Sequence, residues 1–324
     1  MRAVALHGFD GSASVGIADV SDIAPGPGEI GISVAAAGLN PADWKLAEGW
    51  LRDTYQPSFP YVLGFDAAGT VDAVGAGVTG FSIGDRVVAK TAVGRGGAGG
   101  CAERTVVAAH LASILPDAID FITAAALPTA GITAWESTLV AGALRTGQSI
   151  LVNGGAGGTG SFAIGIARMT GAHIAATAGA RNLAYLSELG CDLALDYRTD
   201  WRPKLRERFP DGVNVLLDTV GQGVLDHPLD LIRDGGVFVT IGTLVRNEPR
   251  PAEQRGIRVL TSMSNREREG EQLGALVSAL ASAGLRSPAI ETISPVDVPA
   301  ALDRLKEGHV RGKLVVDIAR GCWQ

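Results

Sequence analysis

Six residues, Gly155-Ala156-Gly157-Gly158-Thr159-Gly160, follow the apolar run Ile150-Leu151-Val152 and open a stretch rich in Ala and Ile. Glycines spaced G-x-G-x-x-G between a buried strand and a helix leave few folds open, because each asks something different of the backbone. In this pattern Gly155 makes the tight turn, Gly157 lets the main chain approach a pyrophosphate, and Gly160 lets the helix pack on the strand. The first N–H groups of the helix, with its dipole behind them, then face phosphate charge. Ala156, Gly158 and Thr159 complete the same cradle. The pattern alone also suits a Gly-rich turn in any α/β domain; the flanking strand and helix are what make it a nucleotide site.

Strand and helix alternate around that turn. Ser149–Asn153 reads as a buried strand, residues 161–169 as a helix and His173–Ala178 as a strand. Helix 182–189 and strands Leu193–Asp196 and Val213–Asp218 follow, then helix 224–232 and strands 236–241 and 258–263. Such alternation implies parallel strands with helices on both faces, a doubly wound sheet. Residues 122–127 and 131–141 read as helices ahead of it. The first third has another texture: Gly and Pro are dense, and short strands fall at 4–6, 29–36, 69–74 and 86–89. Pro25-Gly26-Pro27-Gly28 and Gly75-Ala76-Gly77 signal turns, and residues 94–100 read as a flexible Gly-rich loop. After residue 264, helices at 271–283 and 298–306 mix with strands at 289–293 and 313–318. A chain of 324 residues is long for one core, and these changes divide it into residues 1–120, 121–264 and 265–324.

Composition narrows the partners. Lys and Arg number 28 against 34 Asp and Glu, a formal net charge of −6, with no block of like charge. A mildly acidic chain without a basic stripe argues against nucleic acid and against an anionic membrane surface. Cys101, Cys191 and Cys322 are odd in number and far apart, which offers neither a disulfide framework nor a CxxC site. Residues 1–10 lack a long apolar stretch, and the most apolar segment, 121–135, is too short for a bilayer and contains Pro128. A cytoplasmic protein with small-molecule partners is expected.

The second strand sets the choice of dinucleotide. An NAD site usually ends that strand with Asp or Glu, bonded to the ribose hydroxyls. Here it ends Ala176-Thr177-Ala178-Gly179-Ala180, Arg181 follows, and no acid comes before Glu188. A neutral strand end at Ala178 beside a guanidinium suits the 2′-phosphate of NADPH. The alternative for Arg181 is a solvated helix start. Tyr197, just past the third strand, lies against the adenine or ribose in this reading, or else packs.

Further motifs run through the chain in order: Ala36-Ala37-Gly38-Leu39-Asn40-Pro41-Ala42-Asp43-Trp44-Lys45, Pro60-Tyr61-Val62-Leu63-Gly64-Phe65-Asp66-Ala67-Ala68-Gly69-Thr70-Val71, and Gly84-Asp85-Arg86-Val87. Gly100-Cys101-Ala102-Glu103, Ala126-Leu127-Pro128-Thr129-Ala130-Gly131-Ile132-Thr133-Ala134 and Gly312-Lys313-Leu314-Val315-Val316 follow. Together they resemble the medium-chain dehydrogenase/reductase superfamily, in its zinc-independent quinone oxidoreductase branch. The resemblance implies an α/β protein: a GroES-like β-rich catalytic domain, built from the N-terminal third and the C-terminal tail, plus an inserted Rossmann domain with a doubly wound parallel sheet that binds NADPH. It places Asn40 and Thr129 near the nicotinamide and the hydride acceptor. It counts Thr133, Ala178, Gly242 and Lys313 among the cofactor-binding positions, and it implies a homodimer. Zinc-dependent relatives have Cys where this chain has Asn40, His where it has Phe65, and a four-Cys lobe near residues 94–100. Zinc asks for three or four ligands in close array, and His7, His110, His173, His227 and His309 are scattered. No metal is expected.

Without a metal to polarise a carbonyl, the acceptor must already be electrophilic. Quinones and activated enones both fit, because hydride reaching a conjugated system puts charge on an oxygen that hydrogen bonds can hold. Asn40 and Thr129 are candidate donors to that oxygen or to the carboxamide, although Asn40-Pro41 is also a turn starter. Tyr55 is the candidate proton donor. Trp44 and Trp50 wall the pocket for a flat substrate or pack in the core. Hydride transfer from NADPH to a quinone leads; reduction of an enone or 2-alkenal is the close alternative, and an NADPH-binding structural or redox-sensing protein the alternative of another class. Ile257-Arg258-Val259-Leu260-Thr261-Ser262-Met263 reads as the last strand of the sheet, its apolar edge covered by a second copy about a two-fold axis or by the helix at 271–283.

Overall fold

The structure, a computed structural model, describes residues 1–91, 99–221, 223–241 and 249–323, the side chains of 249–251 excepted. The chain divides into two units, Met1–Ala130 with Asn265–Ser282 and Ala289–Gln324, and Gly131–Ser264 with Ala283–Pro288.

The first unit opens with β1 (Arg2–Leu6), β2 (Val15–Asp19), β3 (Glu29–Gly38), α1 (Pro41–Ala47), the single turn α2 (Arg52–Tyr55) and β4 (Tyr61–Val62). It goes on through β5 (Asp66–Val74), β6 (Arg86–Lys90), β7 (Arg104–Ala108), β8 (Ala112–Ile114) and α3 (Phe121–Ala125). β3 is the spine. Ile30, Ile32, Val34 and Ala36 alternate along it and are buried, the period-two pattern of a strand that covers a core. It pairs antiparallel with β5, Ile32 opposite Val71 and Ala36 opposite Ala68, through two irregularities that sharpen the local twist. The end of β3 therefore lies beside the start of β5, which brings the segment Gly38–Asn40 next to Asp66.

α4 (Pro128–Trp135) leads into the second unit, followed by β9 (Ser149–Asn153), α5 (Gly158–Thr170), β10 (His173–Ala178), α6 (Leu183–Leu189), β11 (Leu193–Asp196) and α7 (Arg202–Arg208). β12 (Val213–Asp218), β13 (Ile232–Ile241), α8 (Pro249–Gln254) and β14 (Arg258–Ser262) complete it. Among the described residues these strands form one parallel sheet in the order β11-β10-β9-β12-β13-β14, the Rossmann order. β9 sits inside the sheet and is buried over its whole length, which is why its sequence is a continuous apolar run.

Two helices differ from expectation. Residues 224–232 form only a short 3-10 turn, Pro228–Leu231, and Ile232 already belongs to β13. Gly221, Gly223 and His227 take positive φ just ahead of it, which no helix sustains. The expected helix over 131–141 starts earlier, at Pro128, and widens into a π-helix at Glu136–Ala141.

The chain returns to the first unit with α9 (Glu269–Ala281), β15 (Ile290–Ile293), α10 (Val298–Glu307) and β16 (Lys313–Asp317). α9 packs on β8 and β6. β16 runs antiparallel to β3 with Val315 opposite Gly38 and Val316 opposite Ala37. Continued by two residues, that register sets Lys313 across from Asn40.

Candidate functional site

In the second unit a buried polar ladder holds three strand ends level beneath the glycine turn. Asn153 donates Nδ2 to Asp218 Oδ1 on β12 at 2.9 Å and accepts from Thr177 Oγ1 on β10 at 2.6 Å. Thr177 Oγ1 accepts the Gly154 N–H at 3.1 Å, and Asp218 Oδ1 accepts those of Val220 and Gly221 at 3.0 and 3.1 Å. Sequence reasoning did not single out these three residues. Their signal is a polar side chain at or near the end of each of three apolar strands, β9, β10 and β12, that are neighbours in the sheet.

The turn itself corrects one detail. The left-handed residue is Gly154, with φ +82, one position before the motif, so Gly154 and not Gly155 makes the tight turn. Gly155 is required for space, since a Cβ there would stand 2.8 Å from Ala176 Cβ and 3.0 Å from Leu186 Cδ2. At Gly160 a Cβ would run into the Gly154 carbonyl oxygen, the close helix–strand approach expected of it. Gly157 borders open space, its nearest neighbour being Gly154 O at 3.6 Å. Gly157, Gly158 and Thr159 are half-buried at the start of the 13-residue α5, whose first N–H groups have no carbonyl ahead of them, and Ala156 lies buried. A cradle lined by N–H groups and kept free of a Cβ fits a dinucleotide pyrophosphate.

At the end of β10, the buried Ala178 accepts the Tyr197 N–H at 3.2 Å. A Cβ on Gly179 would stand 3.7 Å from Tyr197 Oη and 3.8 Å from Arg198 Cζ. Tyr197 is 45% exposed, with the Arg198 guanidinium 5.6 Å from its ring centre. The acid in register with Ala178, Asp196 on β11, turns Oδ1 to the Arg198 N–H at 3.0 Å. Arg181 is exposed on the short turn Ala180–Asn182 that follows β10. Arg198 is the cation that sequence reasoning missed; its signal is a basic residue directly after Tyr197. Thr133 is half-buried on α4, and Gly242 lies outside the described residues.

In the first unit Asn40, Thr129 and Lys313 converge on Asp66, which is fully buried. Asp66 Oδ1 accepts the Thr129 N–H at 2.9 Å and its hydroxyl at 2.5 Å. Asp66 Oδ2 accepts Asn40 Nδ2 at 2.8 Å and lies 3.5 Å from Lys313 Nζ. Lys313 also donates to Asn40 Oδ1 at 2.6 Å and to Leu39 O at 2.8 Å. Asn40 Nδ2 reaches Gly38 O at 3.3 Å as well. Asp43, equally buried, accepts the Asn40 N–H at 2.8 Å and that of Gly64 at 3.0 Å, clamping the start of α1. Burial pushes the Asp43 carboxyl up to about 7, and burial pulls Lys313 below the usual lysine range against the pull of Asp66 and Asp43. Asp66 was not singled out from sequence, although it lies inside a quoted motif.

Tyr55 ends α2, half-buried and edge-on to Phe65, ring centres 5.6 Å apart. Burial raises its pKa, with Arg266 opposing and Glu269 and Asp43 adding. Trp44 is buried in the core with the mostly exposed Trp50 edge-on to it at 5.1 Å. The residues present do not fit zinc: position 40 carries an amide already bound on both sides, position 65 a phenyl ring, and among the described residues no three His, Cys, Asp or Glu are grouped as a metal site.

Residues 26–117 match the alcohol dehydrogenase GroES-like domain and residues 158–279 the zinc-binding dehydrogenase family model. The chain is 37% identical to the chloroplast envelope quinone oxidoreductase homolog of Arabidopsis thaliana over 206 residues, 61% of this chain and 62% of that protein. It is 35% identical to the 2-methylene-furan-3-one reductase of Solanum lycopersicum over 294 residues, 88% of this chain and 70% of the relative. The crystal structure of Escherichia coli quinone oxidoreductase complexed with NADPH matches with a TM-score of 0.86 at 26% identity, covering 98% of this chain and 100% of the other. With both family models in order along it and a full-length structural match of this quality, the chain belongs to the medium-chain dehydrogenase/reductase superfamily, among its quinone oxidoreductases.

Proposed function

We propose that the protein is an NADPH-dependent, metal-free oxidoreductase that transfers hydride to a quinone. The observation that carries the reading is the state of Asn40. Where zinc-dependent relatives present a thiolate, this side chain is an amide taken up by Asp66, Gly38 and Lys313. With no Lewis acid to activate a carbonyl, the acceptor has to be electrophilic by itself.

NADPH, when bound, supplies the hydride. The turn Gly155-Ala156-Gly157-Gly158-Thr159-Gly160 holds its pyrophosphate on main-chain N–H groups. Arg181, Tyr197 and Arg198 take the 2′-phosphate, and Ala178 ends β10 without a carboxylate to repel it. Thr133 and Gly242 add cofactor contacts. Lys313 braces Asn40, which with Thr129 and Tyr55 makes up the catalytic side. Tyr55 carries its phenolic proton at neutral pH as any tyrosine does, burial makes it a weaker acid still, and it is the group assigned to protonate the acceptor oxygen.

Reduction of α,β-unsaturated carbonyls is the second reading, favoured by the similarity to the 2-methylene-furan-3-one reductase. We further propose a homodimer joined through β14. A cytoplasmic location fits two buried, unpaired cysteines, Cys101 and Cys191. No helix among the described residues is long and apolar enough to cross a membrane. The test is NADPH fluorescence in the presence of the purified protein, with 1,4-benzoquinone, 9,10-phenanthrenequinone or a 2-alkenal added. Fast loss with the quinones is the expected outcome; loss with the 2-alkenal alone establishes the second reading. Bound NADPH that no acceptor consumes overturns both and leaves a structural or redox-sensing protein.

A further inference from the structure

We propose that Asp218 binds the sugar of the nicotinamide half of the dinucleotide, one carboxylate oxygen accepting a hydroxyl of that ribose. The assignment rests on the NADPH reading above and adds a residue that no motif of the sequence marks. All the groups concerned belong to the second unit.

Asp218 ends β12 and is 3% exposed. One of its oxygens is crowded: Oδ1 accepts Asn153 Nδ2 at 2.9 Å and the N–H groups of Val220 and Gly221 at 3.0 and 3.1 Å. Among the described residues no donor meets the other oxygen, Oδ2. A carboxylate taken out of water asks for donors on both oxygens. One this deep with an oxygen unserved points to a donor that arrives with a ligand. A carboxylate only accepts, so it selects an O–H or N–H and turns away a phosphate.

The place of Asp218 in the sheet decides which hydroxyl. β9 has β10 and β11 on one side and β12, β13 and β14 on the other, so the strand order turns between β9 and β12, where Asn153 and Asp218 stand in register. Ligands of such sheets lie outside the carboxyl ends of the strands at that point. The segment after β12 lies against the glycine turn: a Cβ on Gly154 would stand 2.6 Å from Thr219 Oγ1 and 2.8 Å from Val220 Cγ2. With the pyrophosphate on that turn, Arg181, Tyr197 and Arg198 draw the adenosine half to the side of β10 and β11, which they follow. The other half then leaves the pyrophosphate across β12. One strand spacing, about 4.8 Å, is the step from a phosphate to the sugar it carries, and the first hydroxyls beyond β9 are those of the nicotinamide ribose.

The test compares equilibrium binding of NADP+ with that of an analogue whose nicotinamide ribose is 2,3-dideoxyribose, by titration calorimetry on the full chain. The wild type is expected to bind NADP+ about tenfold more tightly, the worth of one hydrogen bond to a carboxylate oxygen otherwise unserved. In Asp218→Asn the three donors keep the amide oxygen where Oδ1 stood, and the NH2 group takes the place of Oδ2. A hydroxyl pairs with it only without charge, so the difference narrows to about threefold or less. 2′,5′-ADP, which lacks that ribose, is expected to bind wild type and variant alike. If Asp218 does no more than hold the strand ends, the substitution weakens all three ligands in parallel and keeps the ratio, which overturns the proposal. Equal affinities for NADP+ and the dideoxy analogue in the wild type overturn it even if Asp218→Asn fails to fold. A wild-type chain that binds neither NADP+ nor 2′,5′-ADP overturns the NADPH reading instead, and this assignment with it.

Discussion

Asp43 closes the start of α1 from inside the first unit, and burial raises its pKa from 3.8 to about 7, with Asp66 adding to the rise and Lys313 opposing it. The folded chain therefore holds a proton between those two values that the unfolded chain has released. The unfolded state binds fewer protons there, so stability falls as pH rises from about 4 to about 7 and levels off above, a change on the order of 4 kcal/mol if this group acts alone. Asp43→Asn is expected to remove that slope while lowering the midpoint at every pH, because an amide cannot accept from both the Asn40 and Gly64 N–H groups. Urea midpoints at intervals between pH 4.5 and 8 decide it: parallel curves for wild type and variant defeat the assignment. At the other end of the chain's chemistry, Arg181→Ala and Arg198→Ala are each expected to raise the Michaelis constant for NADPH about tenfold and to move that for NADH by less than about twofold. Equal effects on both cofactors remove the residue concerned from the 2′-phosphate. Arg181 was singled out from sequence because it follows a neutral strand end. Arg198 was not, because only the pairing of β10 with β11 carries it to Gly179.

Elements followed their local signals where those were strong. β9, β10, β11 and β12 occupy the residues that the apolar runs marked; the inner strands, buried on both faces, write themselves as consecutive apolar residues, and the edge strand β11 is only partly buried. α1, α2 and α7 went unread: each spans two turns or less, too short for a helical period to show. β14 lies at one end of the parallel sheet and, among the described residues, pairs with no strand beyond β13. Val259 on it is 38% exposed and Met263 just after it 81%, an apolar edge of the kind that soluble proteins cover. The proposed dimer pairs this strand with its own copy about a two-fold axis. Light scattering at low micromolar concentration is expected to give the mass of two chains, and the double variant Val259→Lys, Met263→Lys the mass of one, since like charges then face each other across the ladder. A wild-type mass of one chain that persists on concentration removes the dimer.

For the whole molecule, the donor set at positions 40 and 65 carries the expectation of metal-independent turnover. Quinone reduction is expected to be unchanged after dialysis against a chelator, with no stoichiometric zinc by elemental analysis of active protein; activity lost to the chelator and restored by zinc contradicts it. The parallel nucleotide-binding unit was legible from sequence alone, down to the role of Gly160, because turn geometry, strand burial and helix starts are constraints between residues close together in the chain. Even there the left-handed turn shifted by one residue, to Gly154, since the spacing of glycines does not say which of them must take positive φ. The residues Asn40, Thr129 and Lys313 were also on the page as a family resemblance. What they do to one another was decided only by tertiary structure. Asp66 meets partners 26, 63 and 247 positions away, the first and last brought in by the pairing of β3 with β5 and β16 and Thr129 by the start of α4, and no local pattern encodes such distances. A side chain's identity says how many hydrogens and lone pairs it owns; which of them remain for a ligand depends on what faces it in the fold.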